Sequence, residues 1–236
     1  MNLNNKTVLV TGANRGLGQA LVQELLTCGV SKVYAAARTP ASITTHDARV
    51  TAVALDVTDS ASIRQLANEL TDLDLVINNA GVIRFGDLLN ASDDDFDHCF
   101  EVNLKGLWHV SQAFTAALSR GNGGAICNIL SLLSLASMPG LAAYNASKAA
   151  AWSVTQSLRG TLKAHKIEVH AAYPGAIDTD MVAGIEMDKG NPADIAKDIV
   201  SGISQNQEDI YPGYAQQVYD VWKTDHKAVE REFAAT

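Results

Sequence analysis

The stretch TGANRGLG, residues 11–18, separates a short apolar run from an amphipathic one near the start of the chain. Thr7–Val10 has the composition of a buried strand, and leucines recur at helical spacing between Leu17 and Leu26. The glycines of this stretch permit a tight turn, a close backbone approach to a ligand and close helix–strand packing. The N-terminus of the following helix offers unpaired N–H groups and a positive dipole end to a pyrophosphate. A glycine loop in this position predicts a dinucleotide-binding site.

Strand-like and helical segments alternate along the rest of the chain. The further β-rich runs are Lys32–Ala37, Val50–Leu55, Leu73–Ile77, Ala125–Leu130, Glu168–Tyr173 and Asp209–Tyr211. The further helical segments are Ser60–Leu70, Ser92 to about Gly121, Tyr144–His165, Ala193–Ile203 and Ala215–Phe233. Ser92 and Asp95 have the spacing of a capping box at the start of the second of these. The alternation predicts one α/β domain over residues 1–236, a doubly wound Rossmann fold whose mostly parallel seven-stranded sheet carries helices on both faces.

Composition and charge exclude several classes of protein. The chain has 236 residues, of which 47% are hydrophobic and 19% charged, which is an ordinary globular balance. A net charge of −8 without any Lys/Arg cluster argues against a nucleic-acid partner. Residues 121–147 carry no charge, but polar residues and a Pro-Gly pair interrupt them, so we expect no membrane span and, from the N-terminal residues, no signal peptide. Cys28, Cys99 and Cys127 are widely spaced, which predicts a reduced, cytoplasmic protein without a metal site.

Tyr144 and Lys148 form the strongest candidate for catalysis. Residues four apart on a helix share a face, one turn from each other. The pKa of a free tyrosine is near ~10, and a neighbouring ammonium is expected to lower it towards the range where acid–base catalysis is efficient. Ser131 lies thirteen residues upstream of Tyr144 and adds a hydroxyl donor. The three side chains therefore predict a proton-transfer site.

Two arginines predict which cofactor the glycine loop selects. A carboxylate for a ribose 2′-hydroxyl is expected at the end of the second strand, but the chain there reads Ala35-Ala36-Ala37-Arg38-Thr39. Arg38 instead offers a planar donor fork suited to phosphate, and Arg15 in the glycine loop could reach the same group. The sequence therefore predicts NADP(H) in preference to NAD(H). The alternative is that both arginines are ordinary surface residues.

Together with the glycine loop and the Ser–Tyr–Lys set, the NNAG segment at residues 78–81 completes a familiar pattern. The chain resembles the short-chain dehydrogenase/reductase family, and its T-G-x-x-x-G-x-G spacing is similar to the main single-domain reductase branch rather than the epimerase branch. The resemblance extends over residues 6–180, with five motifs in order.

The resemblance implies a role for individual residues. Asp56 would bind the adenine amino group, and Asn103 would be the catalytic asparagine beside Ser131, Tyr144 and Lys148. Each has a structural alternative, since Asn103 could tie helix backbone, Ser131 could end a strand and Asp56 could cap the helix from Ser60. The residues that would bind the cofactor are Gly12, Asn14, Arg15, Gly16, Leu17, Gly18, Arg38, Asp56, Val57, Asn79, Ala80, Gly81, Tyr144, Lys148, Pro174, Gly175, Ile177 and Thr179.

The same resemblance implies an NADPH-dependent carbonyl reductase that transfers hydride reversibly between nicotinamide and a ketone or aldehyde. The alternatives are an alcohol dehydrogenase working in the oxidising direction and a non-catalytic NADP(H)-binding sensor. A lid is expected at about residues 180–205, with its apolar members before Asn191. Arg84 and Lys189 are the cations that could meet an anionic substrate. The candidate substrate contacts are Leu133, Ser134, Leu141 and Met181, which favour a small to medium, largely apolar substrate.

Relatives in this family are commonly dimers or tetramers, which implies the same for this chain. The two long helices, Ser92–Arg120 and Tyr144–His165, would form the interface. A run of three alanines, Ala149 to Ala151, would let the helices approach closely.

Overall fold

The computed structural model describes residues 1–121 and 123–235, and its centre is a sheet of seven parallel strands. The strands are β1 Thr7–Thr11, β2 Lys32–Ala37, β3 Val50–Ala54, β4 Leu75–Asn78, β5 Ala125–Ile129, β6 Glu168–Ala172 and β7 Asp209–Ile210. Their order is β3-β2-β1-β4-β5-β6-β7, and all neighbours pair in parallel. The strand order reverses between β1 and β4, which opens a crevice at the carboxyl ends of the strands. The predicted doubly wound fold is confirmed.

Helices cover both faces of the sheet. They are α1 Gly16–Thr27, α2 Ser60–Glu69, α3 Asp93–Phe100, α4 Leu107–Leu118, α5 Ala142–Leu162, α6 Pro192–Ser204, α7 Ala215–Trp222 and α8 His226–Ala234. Side chains alternate across each strand, so β1 sends Val8 and Val10 to one core and Leu9 to the other. The first core also holds residues of α1 and α6, and the second holds residues of α2, α4 and α5. Burial on both faces explains why the strands are almost wholly apolar.

The long helix expected from Ser92 is present but is not uniform. The Ser92 hydroxyl accepts from the backbone N–H of Asp95 at 3.2 Å, and the backbone N–H of Ser92 donates to the Asp95 carboxylate at 3.4 Å, so the capping box is confirmed. Between α3 and α4, residues Glu101–Gly106 form a wider π-helical turn. Such turns are frequent at functional sites, and this one contains Asn103.

The C-terminal region differs from the expected single helix over residues 215–233. It forms two helices, because α7 ends at Trp222 and α8 begins after Asp225, whose carboxylate accepts from the backbone N–H of Ala228 at 3.0 Å. Tyr219 and Trp222 of α7 stack on each other, with ring centroids 5.9 Å apart. The break lets α8 fold back onto the body of the protein.

The expected lid over residues 180–205 is too long. From Pro192 onwards the chain is helix α6, and its Ile195, Ile199 and Ile203 are buried in the core with α1. A helix packed in this way belongs to the scaffold. Only residues 180–191 are left to form a lid, and they begin with a short 3-10 turn, Asp180–Val182.

Among the residues that the structure describes, no helix combines the length and the hydropathy of a membrane span.

Candidate active site

A cavity of about 1020 Å³ lies at the carboxyl ends of the strands. All the residues expected to bind a cofactor line it, and so do Ser131, Leu133, Leu141 and Met181. Two expected site residues do not, namely Asn103 and Ser134. The fold therefore collects residues that are far apart in sequence around one space, as expected at the switch point of a parallel α/β sheet.

The glycine loop has the backbone shape that its sequence requires. Gly12 and Gly16 have φ of 63° and 53°, in the left-handed region that side chains disfavour. A Cβ on Gly18 would lie 2.1 Å from the carbonyl oxygen of Gly12, so only glycine allows α1 to start so close to the turn. The Asn79 amide fixes the loop by donating to the carbonyl oxygens of Thr11 and Gly12 at 2.9 and 3.0 Å.

The N-terminus of α1 fits an anionic ligand. Arg15 is the N-cap residue, and its side chain makes no capping hydrogen bond. The first-turn N–H groups of α1 therefore face the cavity with their positive dipole end and without a side-chain partner among the described residues. This is the arrangement that a dinucleotide pyrophosphate needs.

Arg15 and Arg38 are both exposed and both line the cavity. Arg15 forms an ion pair with Asp180 at 3.3 Å, which joins the glycine loop to the lid. The turn after β2 brings two hydroxyls, Thr39 and Ser42, into the cavity lining beside Arg38. The sequence analysis did not single out these two residues. Hydroxyl side chains that closely follow an arginine could have indicated a phosphate-binding site.

Asp56 does not cap helix α2. That position belongs to Asp59, whose carboxylate accepts from the backbone N–H of Ala61 at 2.8 Å. Asp56 instead accepts from the backbone N–H and the hydroxyl of Thr58 at 2.9 and 2.8 Å. These bonds, helped by the charge of Arg38, lower the pKa of the Asp56 carboxyl. Asp56 is thus a fixed carboxylate on the cavity wall, next to Val57.

Ser131, Tyr144 and Lys148 converge on the cavity. Ser131 follows β5, and its hydroxyl accepts from the backbone N–H of Leu133 at 3.1 Å. The same hydroxyl lies close enough to that of Tyr144 to lower the pKa of the phenol. Tyr144 and Lys148 lie one turn apart in α5, with the ammonium nitrogen 5.7 Å from the centre of the phenol ring. Lys148 is buried and donates to the carbonyl oxygen of Ile129 at 2.8 Å. The three groups can therefore act together on one substrate oxygen.

Burial controls the protonation of this pair. It raises the pKa of Tyr144 to about 12, against the opposing hydrogen bond from Ser131. It also lowers the pKa of Lys148 to about 8. The expectation of a lowered phenol pKa was therefore wrong for this structure, because desolvation disfavours the phenolate. Tyr144 keeps its proton throughout the physiological range and is available as a proton donor.

Asn103 lies behind the cavity, not in its wall. Its amide nitrogen donates to the carbonyl oxygen of Val82 and to the hydroxyl of Ser147, each at 2.9 Å, and its amide oxygen accepts from the backbone N–H of Val82 at 2.9 Å. The side chain thus ties the π-helical turn to α5 and to the segment after β4. These bonds hold Asn103 in place beside Ser147, and its catalytic role stays a prediction.

The substrate end of the cavity is apolar, but Ser134 has no part in it. The Ser134 hydroxyl is buried, has no hydrogen-bond partner among the described residues and lies outside the cavity lining, so the structure does not bring it together with the other expected substrate contacts. Arg84 and Lys189 also lie outside the cavity lining. Arg84 forms an ion pair with Asp95 at 3.7 Å, and Lys189 donates to the carbonyl oxygen of Val182 at 2.9 Å. Lining residues that the sequence did not indicate include Phe85, His98, Tyr214 and Phe233.

Among the described residues, no cluster of three or more His, Cys, Asp or Glu side chains could hold a metal ion.

Comparisons with known proteins agree on one family. A family model described as short chain dehydrogenase matches residues 6–190. Carbonyl reductase [NADPH] 2 of Sus scrofa is 32% identical over 192 residues, covering 80% of this chain and 78% of the relative. The 3-oxoacyl-[acyl-carrier-protein] reductase of Staphylococcus aureus is 32% identical over 187 residues, covering 75% and 76%. A crystal structure of a short chain dehydrogenase from Burkholderia cenocepacia in complex with NADP superimposes with a TM-score of 0.93, at 33% identity and 99% coverage of both chains.

Proposed function

This chain belongs to the short-chain dehydrogenase/reductase family, and on that premise we propose that it is an NADPH-dependent carbonyl reductase acting on small to medium apolar ketones and aldehydes. The observation that carries the proposal is the convergence of Ser131, Tyr144 and Lys148 on a cavity whose substrate end is apolar.

The binding residues divide into four groups, one for each part of the cofactor. The glycine loop and the N-terminus of α1 would hold the pyrophosphate. Arg38 and Arg15, with the hydroxyls of Thr39 and Ser42, would hold the 2′-phosphate of NADP(H), because no carboxylate stands at the end of β2 to repel it. Asp56 and Val57 would take the adenine, and the segment from Pro174 to Thr179 would take the nicotinamide amide. The NADP complex of the Burkholderia cenocepacia relative supports this preference.

In the proposed reaction, residues of this chain would position the carbonyl oxygen and donate a proton to it. When bound, the nicotinamide supplies a hydride to the carbonyl carbon in reduction and takes it back in oxidation. Ser131 would hydrogen-bond the carbonyl oxygen and hold it beside Tyr144. Tyr144 would donate its hydroxyl proton to that oxygen as negative charge develops there, so the carbonyl gains one hydride and one proton and becomes an alcohol.

Lys148 would stabilise the phenolate that the proton transfer leaves. One of its three N–H groups is engaged with the carbonyl oxygen of Ile129. The others would serve the nicotinamide ribose and the oxygen of Tyr144. Asn103 would act as a positioning residue, because its side chain holds Ser147, the neighbour of Lys148, and not the substrate. The Asn103 side chain is already engaged, so a water that carries protons to Lys148 would have to be held by the backbone of Asn103.

Three alternatives are weighed against the site. The same set of residues serves the oxidation of a secondary alcohol, so the direction depends on the ratio of cofactor forms in the cell. An acyl-carrier-protein or keto-acid substrate is disfavoured, because Arg84 and Lys189 lie outside the cavity. A non-catalytic sensor would have no need of Ser131, Tyr144 and Lys148 in one place.

A panel of neutral ketones, keto acids and acyl thioesters, each assayed with NADPH and with NADH, tests the proposal. We expect oxidation of NADPH with the neutral ketones, and a lower kcat/KM with NADH. Preferential turnover of keto acids, or of NADH, would contradict it.

The assembly and location of the protein follow as secondary proposals. A homodimer or homotetramer would form through α4 and α5, whose exposed Trp108 and Ala149 offer an apolar side chain and a close approach. All three cysteines are free thiols, which supports a reducing, cytoplasmic location.

A further inference from the structure

Helix α8 supplies part of the wall of the active-site cavity. Its inner face carries Val229, 1% exposed, and Phe233, 9% exposed, so the helix is held against the body of the protein by burial. The Asp225 cap and the break after Trp222 set the direction in which α8 returns. Of the described α8 residues, only Phe233 reaches the cavity lining.

The ring of Phe233 lies at the substrate end of the cavity. It packs in one apolar cluster with Leu132, Ala136 and Ala215, against which Leu133 is partly buried. Leu132 and Leu133 directly follow Ser131, the residue that would hold the carbonyl oxygen. A side chain about one hundred residues further along the chain therefore lines the cavity next to the residues that follow Ser131.

The chemistry of that wall is simple. A phenyl ring has no hydrogen-bonding group, so it cannot orient a polar substituent, but it excludes anything that extends into its volume. We propose that Phe233 sets the size of the larger apolar substituent that a carbonyl substrate can carry. The inference rests on the proposed function for the identity of the reacting group.

A series of 2-alkanones from 2-pentanone to 2-decanone measures the size limit. In the wild-type enzyme, kcat/KM should rise with chain length and then fall where the chain meets the ring. In Phe233→Ala the fall should move to longer chains, and the ratio of kcat/KM for 2-decanone to that for 2-pentanone should rise about tenfold or more, since individual methylenes in such a pocket discriminate to this extent. Phe233→Leu, which keeps the apolar packing, should lie between the two.

Val229→Ala is the matched control. Val229 is buried on the same face of α8 but does not line the cavity. Its substitution also removes packing that holds α8, although less than Phe233→Ala does. Because it does not touch the cavity, the ratio for long against short ketones should stay at the wild-type value. An unchanged ratio in Phe233→Ala, or an equal rise in Val229→Ala, would overturn the inference.

A binding measurement separates this inference from the proposed function. Straight-chain primary amides carry a carbonyl that does not accept hydride, so calorimetry in the presence of NADPH reports the size limit even without turnover. If the wild-type enzyme reduces none of the ketones, the proposed function fails. If Phe233→Ala does not shift the best-bound amide to a longer chain, the inference about Phe233 fails.

Discussion

Tyr144 and Lys148 owe their protonation to burial more than to each other's charge, because desolvation is the largest cause of both pKa shifts. Spacing in the sequence places Tyr144 and Lys148 on one helix face, and that geometry is present. It does not reveal that both groups are desolvated, which raises one pKa to about 12 and lowers the other to about 8. The sequence did assign Ser131 to catalysis by its spacing from Tyr144, but it could not reveal that Ser134 is buried outside the cavity lining, since that depends on tertiary packing.

Tyr144→Phe tests the proton donor. Removing the hydroxyl should lower kcat by about 10²–10⁴-fold, the usual contribution of a general acid, while NADPH binding stays nearly intact. Tyr173→Phe is the control, because Tyr173 is buried and donates to Asp209 at 2.9 Å outside the cavity. Steady-state rates and NADPH fluorescence titration measure the two effects. A Tyr144→Phe enzyme with more than a small fraction of wild-type turnover would refute the assignment.

Lys148 should leave a signature in the pH dependence of stability. Its pKa is about 8 in the folded protein and 10.5 as a free group, so between these values the unfolded chain binds more protons and the free energy of unfolding rises with pH. Between pH 7 and pH 9.5 the contribution is about 2 kcal/mol. Urea unfolding of the wild type and of Lys148→Met at both pH values isolates it, because the other groups cancel. A constant difference between the two proteins would show that Lys148 is not desolvated.

Arg38→Asp should weaken NADPH binding by roughly 10–100-fold, because a charge-assisted hydrogen bond contributes about 1.5–3 kcal/mol. NADH affinity should hold or improve, since the new carboxylate can accept from a 2′-hydroxyl. Arg64→Asp is the control, as an exposed arginine of α2 outside the cavity lining. Equal NADPH affinity in Arg38→Asp and the wild type would mean that the 2′-phosphate lies elsewhere.

Helices and strands were predictable where local sequence determines them. The strands are short and mostly apolar, and the Ser92–Asp95 capping box needs only four consecutive residues. The π-helical turn Glu101–Gly106 left no such local signal, and the Asp225 cap that starts α8 was not recognised within the expected single helix. Their packing is tertiary: a Cβ on Gly106 would lie 2.9 Å from Val57 Cγ2, and α8 is held by a cluster that includes Leu132.

Two glycines within helices should respond in opposite ways to alanine. Gly160 in α5 is exposed, and a Cβ there would meet nothing within 4 Å, so Gly160→Ala should raise the free energy of unfolding by up to about 1 kcal/mol. Gly18→Ala should lower it by about 1–3 kcal/mol, because the new Cβ collides with the backbone of Gly12. Chemical denaturation of both variants checks this. Equal effects would mean that the glycine turn is not held as closely to α1 as described.

The molecule as a whole brings residues from most of the chain to one end of its sheet. The glycine loop, the Ser–Tyr–Lys set and the segment after β6 could be predicted, because they follow strands whose carboxyl ends meet. The contribution of Phe233 and Tyr214 could not, because it depends on how the C-terminal helices fold back.

The exposed face of α4 and α5 should join copies of the chain. Sedimentation at micromolar concentration is expected to show a dimer or tetramer, and Trp108→Arg should dissociate it, because Trp108 is 45% exposed on α4. Val221→Arg, with 46% exposure on α7, should leave the assembly unchanged. A monomeric wild-type protein would exclude this interface.

Direct transfer of hydride is the central claim, and isotope transfer measures it. The enzyme is incubated with a neutral aryl or alkyl ketone and NADPH carrying deuterium at C4 on either face, and the alcohol is analysed by mass spectrometry. We predict one deuterium at the carbinol carbon from one labelled face only, and about 10²–10⁴-fold slower formation of the alcohol with Tyr144→Phe. Alcohol without deuterium from either face, or no alcohol from any neutral ketone, would contradict the account.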